Sequence, residues 1–310
     1  MSSCLRLLTL SWLVLALVAR DAEAAEGGYS NYVPGTYGDF AVAVAPDPGL
    51  TLRNDIYYYG ADESRAVLQG QVRADVDIAL TIDFLTAFYM TERRVLGGRY
   101  AFGAVGQLAR TDIEAEASTA TGSIGIEDDK NGPGDVTLIP WSLFWNFGNL
   151  HVNFAEYIVA PTGFYDQGDL ANNGLNYWSF DTNIAMTYLD PAWGYEVSFD
   201  VGYIYNTENT DTDYQTGQEV HIDYMLNQYF SETSAIGVHG FYLDQVTGDS
   251  GSGAILGDFK GEAAGIGPAL LWTPKIKGKD VNVIVKWLHE FHAEWRLEGD
   301  HVFASFALQF

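Results

Sequence analysis

Gly248-Asp249-Ser250-Gly251 carries the glycine-flanked serine of a trypsin-like nucleophile stretch, in which a serine on a tight turn meets a histidine base. The partner motifs are missing and the chain order does not supply them. The stretch lies in a Gly- and Ser-rich segment, so turn formation accounts for it. His289-Glu290-Phe291-His292 falls short of the H-E-x-x-H zinc pattern. On a strand, residues three apart point to opposite faces, so these histidines are not expected to share a metal. Asn209, Asp211 and Asp213 alternate like calcium-loop ligands, yet Tyr214 stands where such a loop needs glycine. Loose attraction of divalent ions is the most they imply. Ser198 and His221, on adjacent strands, are the remaining pair for an outer-membrane hydrolase, and neither has a signature around it. The chain is read as a non-enzyme with no metal centre and no cofactor.

A larger set of titratable residues follows one rule. Asp83, Asp181, Glu196, Asp200, His221, Asp223, Lys286, Glu290, His292 and His301 sit among apolar residues at strand-like spacing. In Tyr195–Asn206 the odd positions are Tyr195, Val197, Phe199, Val201, Tyr203 and Tyr205. The even ones hold Glu196, Ser198, Asp200, Gly202 and Asn206, with Ile204. In Glu219–Phe230, Val220, Ile222, Tyr224 and Leu226 alternate with His221, Asp223, Met225 and Asn227. A face reading tyrosine, aliphatic, tyrosine suits lipid with aromatics at the two interfaces, and the charged face then belongs to a lumen. Lys286 and Glu290 share a face and are expected to form an ion pair. Such an interior either props up a closed barrel or lines a path for neutral or cationic solutes. A phenol, with a pKa of about 10 like tyrosine, is uncharged at neutral pH; a carboxylate would be repelled.

The elements that must position these residues are strands of roughly ten residues. They read as Leu50–Gly60, Ile78–Met90, Arg99–Glu114, Asp135–Phe147, Leu150–Ala160, Tyr177–Tyr188, Tyr195–Asn206, Glu219–Phe230, Ser234–Val246, Phe259–Thr273, Val281–Glu294 and Asp300–Phe310. The faces of Leu150–Ala160 and Phe259–Thr273 cannot be assigned from alternation. Twelve is an even number, as expected of a single-chain bacterial barrel; pairing of Phe40–Ala45 and 67–74 would make fourteen. Links at 91–98, 148–149, 189–194, 231–233 and 274–280 are short, and most of the alternate links are long. That asymmetry fits short periplasmic turns and long outer loops. The last strand places Val302, Ala304, Phe306, Leu308 and Phe310 on one face and His301, Phe303 and Ser305 on the other. It resembles the terminal strand of bacterial outer-membrane proteins, which the barrel assembly machinery reads through the final aromatic, here Phe310. The fold class is all-β: a transmembrane antiparallel up-and-down barrel over 50–310.

The N-terminus fixes the route. Arg6, an apolar run from Leu7 to Ala19, and Ala22-Glu23-Ala24 form a cleavable secretory signal over 1–24, leading through the inner membrane. The expected address is the bacterial outer membrane, with its lipid as a partner. Cys4 is the only cysteine, so the mature chain has no disulfide or thiolate chemistry. Arg6 and Arg20 balance Asp21 and Glu23, so the mature chain keeps the net charge of -25, which excludes nucleic acid as a partner.

Val33-Pro34-Gly35-Thr36-Tyr37-Gly38-Asp39-Phe40, Pro46-Asp47-Pro48-Gly49 and Arg53-Asn54-Asp55 open a chain of further motifs. These are Pro161-Thr162-Gly163-Phe164-Tyr165-Asp166, Leu170-Ala171-Asn172, Gly174-Leu175-Asn176-Tyr177-Trp178, Asn206-Thr207-Glu208-Asn209 and Gln245-Val246-Thr247-Gly248. Together the chain resembles the meta-pathway phenol-degradation family, described as outer-membrane channel or transport proteins. The resemblance implies transport of a small hydrophobic or aromatic solute. It also implies, by analogy with importers of hydrophobic compounds, that residues 25–49 form a lumen plug with Asn31, Tyr32 and Phe40 packed inside. The chain departs from those importers in having fewer strands and a more charged interior. The motifs in Pro161–Trp178 (Pro161, Tyr165, Asp166, Asn172, Tyr177, Trp178) either serve turns or fold inward as a constriction.

Overall fold

The computed structural model describes residues 30–67, 72–119, 122–255 and 257–310. The expected leader at 1–24, and residues 25–29, lie outside them. Fourteen strands are present: β1 (Gly49–Val67), β2 (Val72–Val95), β3 (Gly98–Thr119), β4 (Gly122–Pro133), β5 (Val136–Phe147), β6 (Leu150–Ala160) and β7 (Ser179–Asp190), then β8 (Tyr195–Asn206), β9 (Glu219–Ser231), β10 (Ser234–Gln245), β11 (Glu262–Trp272), β12 (Lys275–Ile276), β13 (Lys279–Glu294) and β14 (Glu298–Gln309). Twelve of them close a ring, because β1 pairs with β14 as well as β2, and β11 pairs with β13. Every pairing is antiparallel. The other two lie off the ring: β4 extends β3, and β12 forms the tight turn before β13. The fourteen-strand alternative fails, because Phe40–Ala45 forms turns and Val67 pairs with Val72 at the tip of the β1–β2 hairpin.

Strands β5 to β9 have 11 to 13 residues. At about 3.3 Å per residue and a tilt of roughly 40°, such strands rise about 28–33 Å, the thickness of a hydrocarbon core. β1, β2 and β3 run on for 19, 24 and 22 residues. The described parts of 61–77 and 115–133, read from sequence as loops, are instead paired strand, β1 continuing to Val67 against β2 and β4 lying against β3. Alternation does not reveal it, since β4 is mostly exposed along its length and presents no continuous apolar side.

The two-face pattern of β8 holds along its whole length. Glu196, Ser198, Asp200, Ile204 and Asn206 are buried, and Tyr195, Phe199, Val201, Tyr203 and Tyr205 are exposed. In β14, His301, Phe303 and Ser305 are buried while Val302 and Phe306 are exposed, as is Phe310 just beyond it. β6 resolves with Asn153, Ala155 and Val159 inward.

One acidic residue of the expected lumen set breaks the rule that charge faces in. Ile82 and Phe84 are buried in the interior cluster, so Asp83 between them points outward, with Leu85 beyond it exposed. It is therefore not a lumen residue. The Asn54 amide, on the outward face of β1, donates to its carboxylate. A partnered carboxylate on the lipid side costs far less than a bare one.

Candidate functional site

The interior is organised by residues 30–48, whose groups meet inward-facing residues around the ring. Tyr32 and Tyr37 donate their hydroxyls to Asp223 on β9 and Asp181 on β7, each at 2.7 Å. Both rings stack on His221, with centroids 4.2 and 5.0 Å away. His221 Nε2 lies 3.2 Å from both oxygens of Asp181, and its Nδ1 is 3.6 Å from Asp223. Asn31 donates to Ser179 at 2.7 Å, and the Ala41 and Ala43 backbone N–H groups donate to Glu196 and Thr187 at 2.9 and 3.1 Å. Phe40 packs with Ala235, Ala269 and Ile284, its ring 4.9 Å from His239.

Cations tie down the other side. Lys286, on β13 and buried, donates to the carbonyls of Gly35 and Gly38 at 2.5 Å each, over the Phe303 ring at 4.4 Å. Gly35 has φ +81, a left-handed turn that presents its carbonyl to the ammonium; an added Cβ would meet Leu288 at 2.4 Å. Arg53 pairs with Asp39 and with Asp55, the latter at 2.7 Å. Burial pushes the Asp39 carboxyl up, but Arg53 and Lys286 more than offset this and hold it below its ordinary 3.8. Burial and Asp223 push Tyr32 well above 10, and burial and Asp181 do the same to Tyr37, so both are neutral donors.

The expected Lys286–Glu290 ion pair is absent. Glu290 instead lies 3.2 Å from His301, and it accepts from Tyr59 at 3.2 Å and from the Gly299 backbone at 2.7 Å. Lys286 serves carbonyls because the turn at 35–38 sits closer, a long-range contact that strand spacing does not encode. Asp200 is buried beside Asp223 across β8 and β9. Sequence reasoning misses Arg53, Tyr37 and Asp39 as interior residues. The one signal was the alternation of Arg53 with Asp55 on a single face.

His292 departs from its assignment. A bulge pairs Ala264 with His292 but Gly265 with Glu290, so Phe291 is the extra residue and strand parity resets there. Glu290 stays inward and His292 joins the outer face at the rim, 3.3 Å from Glu262. Glu262, His292 and Glu294 offer ligand atoms within 4.8 Å of one another, a partly exposed set that could hold a metal ion. Ser198 and His221 do not meet: the serine hydroxyl donates to Glu196 at 2.5 Å, and the imidazole is held by Asp181.

The segment Pro161–Trp178 lies across one mouth. Asp135 gathers it, accepting from the backbone N–H groups of Thr162, Gly163 and Leu175 at 2.8–2.9 Å. Ala171 is fully buried against Ala61, Ile78, Ile113 and Leu297. Asn172 spans Asp166 through bonds to its N–H and carbonyl, a turn function, while Tyr165 accepts from Asn209 at 2.9 Å. Tyr177 is buried; Trp178 is exposed, and Pro161 is half-buried.

Gly202 is where one methyl group does the most. A Cβ there would lie 2.0 Å from His221 Nε2 and 2.7 Å from the Asn183 side chain. Gly202→Ala is expected to push the imidazole off Asp181 and out of its stack on Tyr32 and Tyr37. Overpacking of this kind costs about 1–3 kcal/mol. Thermal unfolding in detergent should show a lower midpoint for Gly202→Ala than for Gly106→Ala, where an added Cβ meets nothing within 4 Å; equal midpoints would contradict it.

The sequence matches the family described as "Putative MetA-pathway of phenol degradation" over residues 61–306. The chain belongs to this family. As a member of the phenol-degradation family it shares its fold with an outer membrane channel from Pseudomonas putida F1, at TM-score 0.66 and 15% identity, covering 90% of this chain and 100% of that one. The translocator domain of the autotransporter NalP from Neisseria meningitidis gives TM-score 0.45 and 10% identity over 86% and 91% of the two chains. A Pseudomonas aeruginosa FadL homologue gives 0.43 and 8% over 92% and 95%. No curated protein matches the chain.

Proposed function

We propose that this chain is an outer-membrane channel for small neutral aromatic or hydrophobic molecules of the phenol type, with residues 30–48 as its plug. The observation that carries the reading is that the plug already displays phenols. The Tyr32 ring stacks on His221 and its hydroxyl donates to Asp223. That slot combines an aromatic face with a carboxylate acceptor, and a free phenol would make the same two contacts once the tyrosine withdraws. A carboxylate solute would meet Asp181, Asp200 and Asp223 and be turned away. The family description and the shared fold with a solved channel support the reading. The lipid-facing aromatics support an outer-membrane address, with Phe310 presented to the assembly machinery. The chain is read as a carrier of solute rather than an enzyme.

The closed interior favours a second reading, a structural barrel that passes nothing. Flux through vesicles with a lipopolysaccharide outer leaflet separates the two. Phenol should enter vesicles containing the Tyr32→Ala protein several-fold faster than protein-free vesicles, and benzoate should not. Phenol flux equal to that of empty vesicles, in both Tyr32→Ala and a variant lacking 30–48, would favour the structural barrel.

A further inference from the structure

The chain holds 41 Asp and Glu against 16 Lys and Arg, so a guanidinium with no carboxylate beside it runs against composition. Arg53 and Arg110 have theirs. Arg94 and Arg99 have none among the described residues. Arg94 donates to the Gly97 carbonyl at 3.0 Å, and Arg99 to the Ala45 carbonyl at 3.1 Å. Each guanidinium offers five N–H donors in a fixed fork, so most of their donors, and all of their charge, remain uncommitted.

Both arginines line one cavity of about 210 Å³ at the short-turn end of the barrel. It lies where the β2–β3 turn, the β5–β6 turn and the end of segment 30–48 converge. Phe144, Trp145 and Phe147 form aromatic walls, and His151 adds an imidazole. Trp145 is fixed in place by its indole N–H bond to the Leu96 carbonyl at 3.1 Å.

We infer that this cavity binds a small aromatic carboxylate. Two guanidinium forks match a carboxylate group, which Arg recognises bidentately. Phe144, Trp145 and Phe147 in the lining offer a ring of the ligand aromatic contacts beside that group. The volume is below the roughly 300–1,000 Å³ of drug-sized sites, so a single-ring ligand fits and a larger one does not. The charge here is opposite to that of the Asp181, Asp200 and Asp223 cluster, so the two ends of the interior select different solutes. The inference goes beyond the channel reading and stands without it.

Calorimetric titration of the full-length protein in detergent with benzoate tests this at neutral pH. Saturable binding is expected, weakened about tenfold or more in Arg94→Gln, since a charge-assisted contact is lost. Arg94 lies next to an exposed turn, so this variant should fold. Arg99→Lys keeps the charge but loses the fork, and should weaken binding as well. Benzamide, which lacks the charge, and inorganic phosphate, which lacks the ring, should compete poorly. The inference is overturned by absence of saturable benzoate binding, by unchanged affinity in Arg94→Gln, or by benzamide binding as well as benzoate. Phosphate displacing benzoate at equal concentration would overturn it in favour of a simple anion or lipid-phosphate site. Because the ligand and readout differ from the phenol flux experiment, failure of either reading leaves the other standing.

Discussion

Replacing Lys286 with methionine is expected to release residues 30–48 from the barrel wall while leaving the twelve-strand ring closed. The ammonium is buried and donates to the carbonyls of Gly35 and Gly38, so its removal takes a charged donor from both and leaves the Gly35 carbonyl only the Gly38 backbone N–H. It also takes away one of the two cations beside Asp39. Breaking a buried charged contact of this kind costs roughly 3–5 kcal/mol, enough to populate the undocked segment. The ring should not notice, since β13 keeps its pairing with β11 and β14 through the backbone. The only cysteine of the chain is Cys4, so with Cys4→Ser a cysteine placed at the fully buried Ala43 is a unique reporter. Thiol labelling at fixed pH should be slow in that background and fast once Lys286→Met is added, with heat-modifiable gel mobility retained. Equal labelling rates would show that Lys286 does not hold the segment.

The second large effect is a pH window for the same docking. Asp39 is held below its ordinary 3.8 when folded, so its contribution is present above that value and lost as pH falls through the lower, folded one. Tyr32 and Tyr37 are raised well above 10, so their contributions are complete below 10 and lost as pH rises beyond it. Docking should therefore be flat from about pH 5 to 9 and fail on either side. In planar bilayers, conductance events should be rare inside that window and appear as pH falls through the lowered pKa of Asp39. Asp39→Asn should abolish the acid limb and weaken docking at neutral pH by roughly 1–3 kcal/mol. An acid limb unchanged in Asp39→Asn would remove Asp39 from the latch.

Much of the ring was legible because a barrel in lipid forces a two-residue period on every strand. β8 has the bounds that alternation assigns it, Tyr195–Asn206, and β6 those expected from the turn signals around it, Leu150–Ala160. His292 and Asp83 were misplaced for two different reasons. At His292 a bulge inserts one residue, and nothing in the local letters announces the reset. At Asp83 the governing idea that charge avoids lipid is correct in energy but incomplete, because a neighbouring strand supplies the Asn54 amide. The site itself was half legible. Inward acids and histidines follow from period, whereas the contacts of Tyr32, Tyr37, Asp39 and Lys286 join residues up to 251 positions apart, and no local pattern carries that information.

The seam between β1 and β14 has a consequence for how the molecule is made. Residues from Thr51–Asp62 pair with Gln309–Glu298, and Leu50 and Phe310 exchange both backbone hydrogen bonds at the end. Every other ring contact joins strands near in sequence, so a growing chain can zip them successively at small entropic cost. The seam alone must wait for the final residues. A chain cut short before β14 would therefore carry two raw sheet edges, at β1 and β13, open to any extended segment nearby. Arrival of β14 and protection of both edges are, for this molecule, one and the same event.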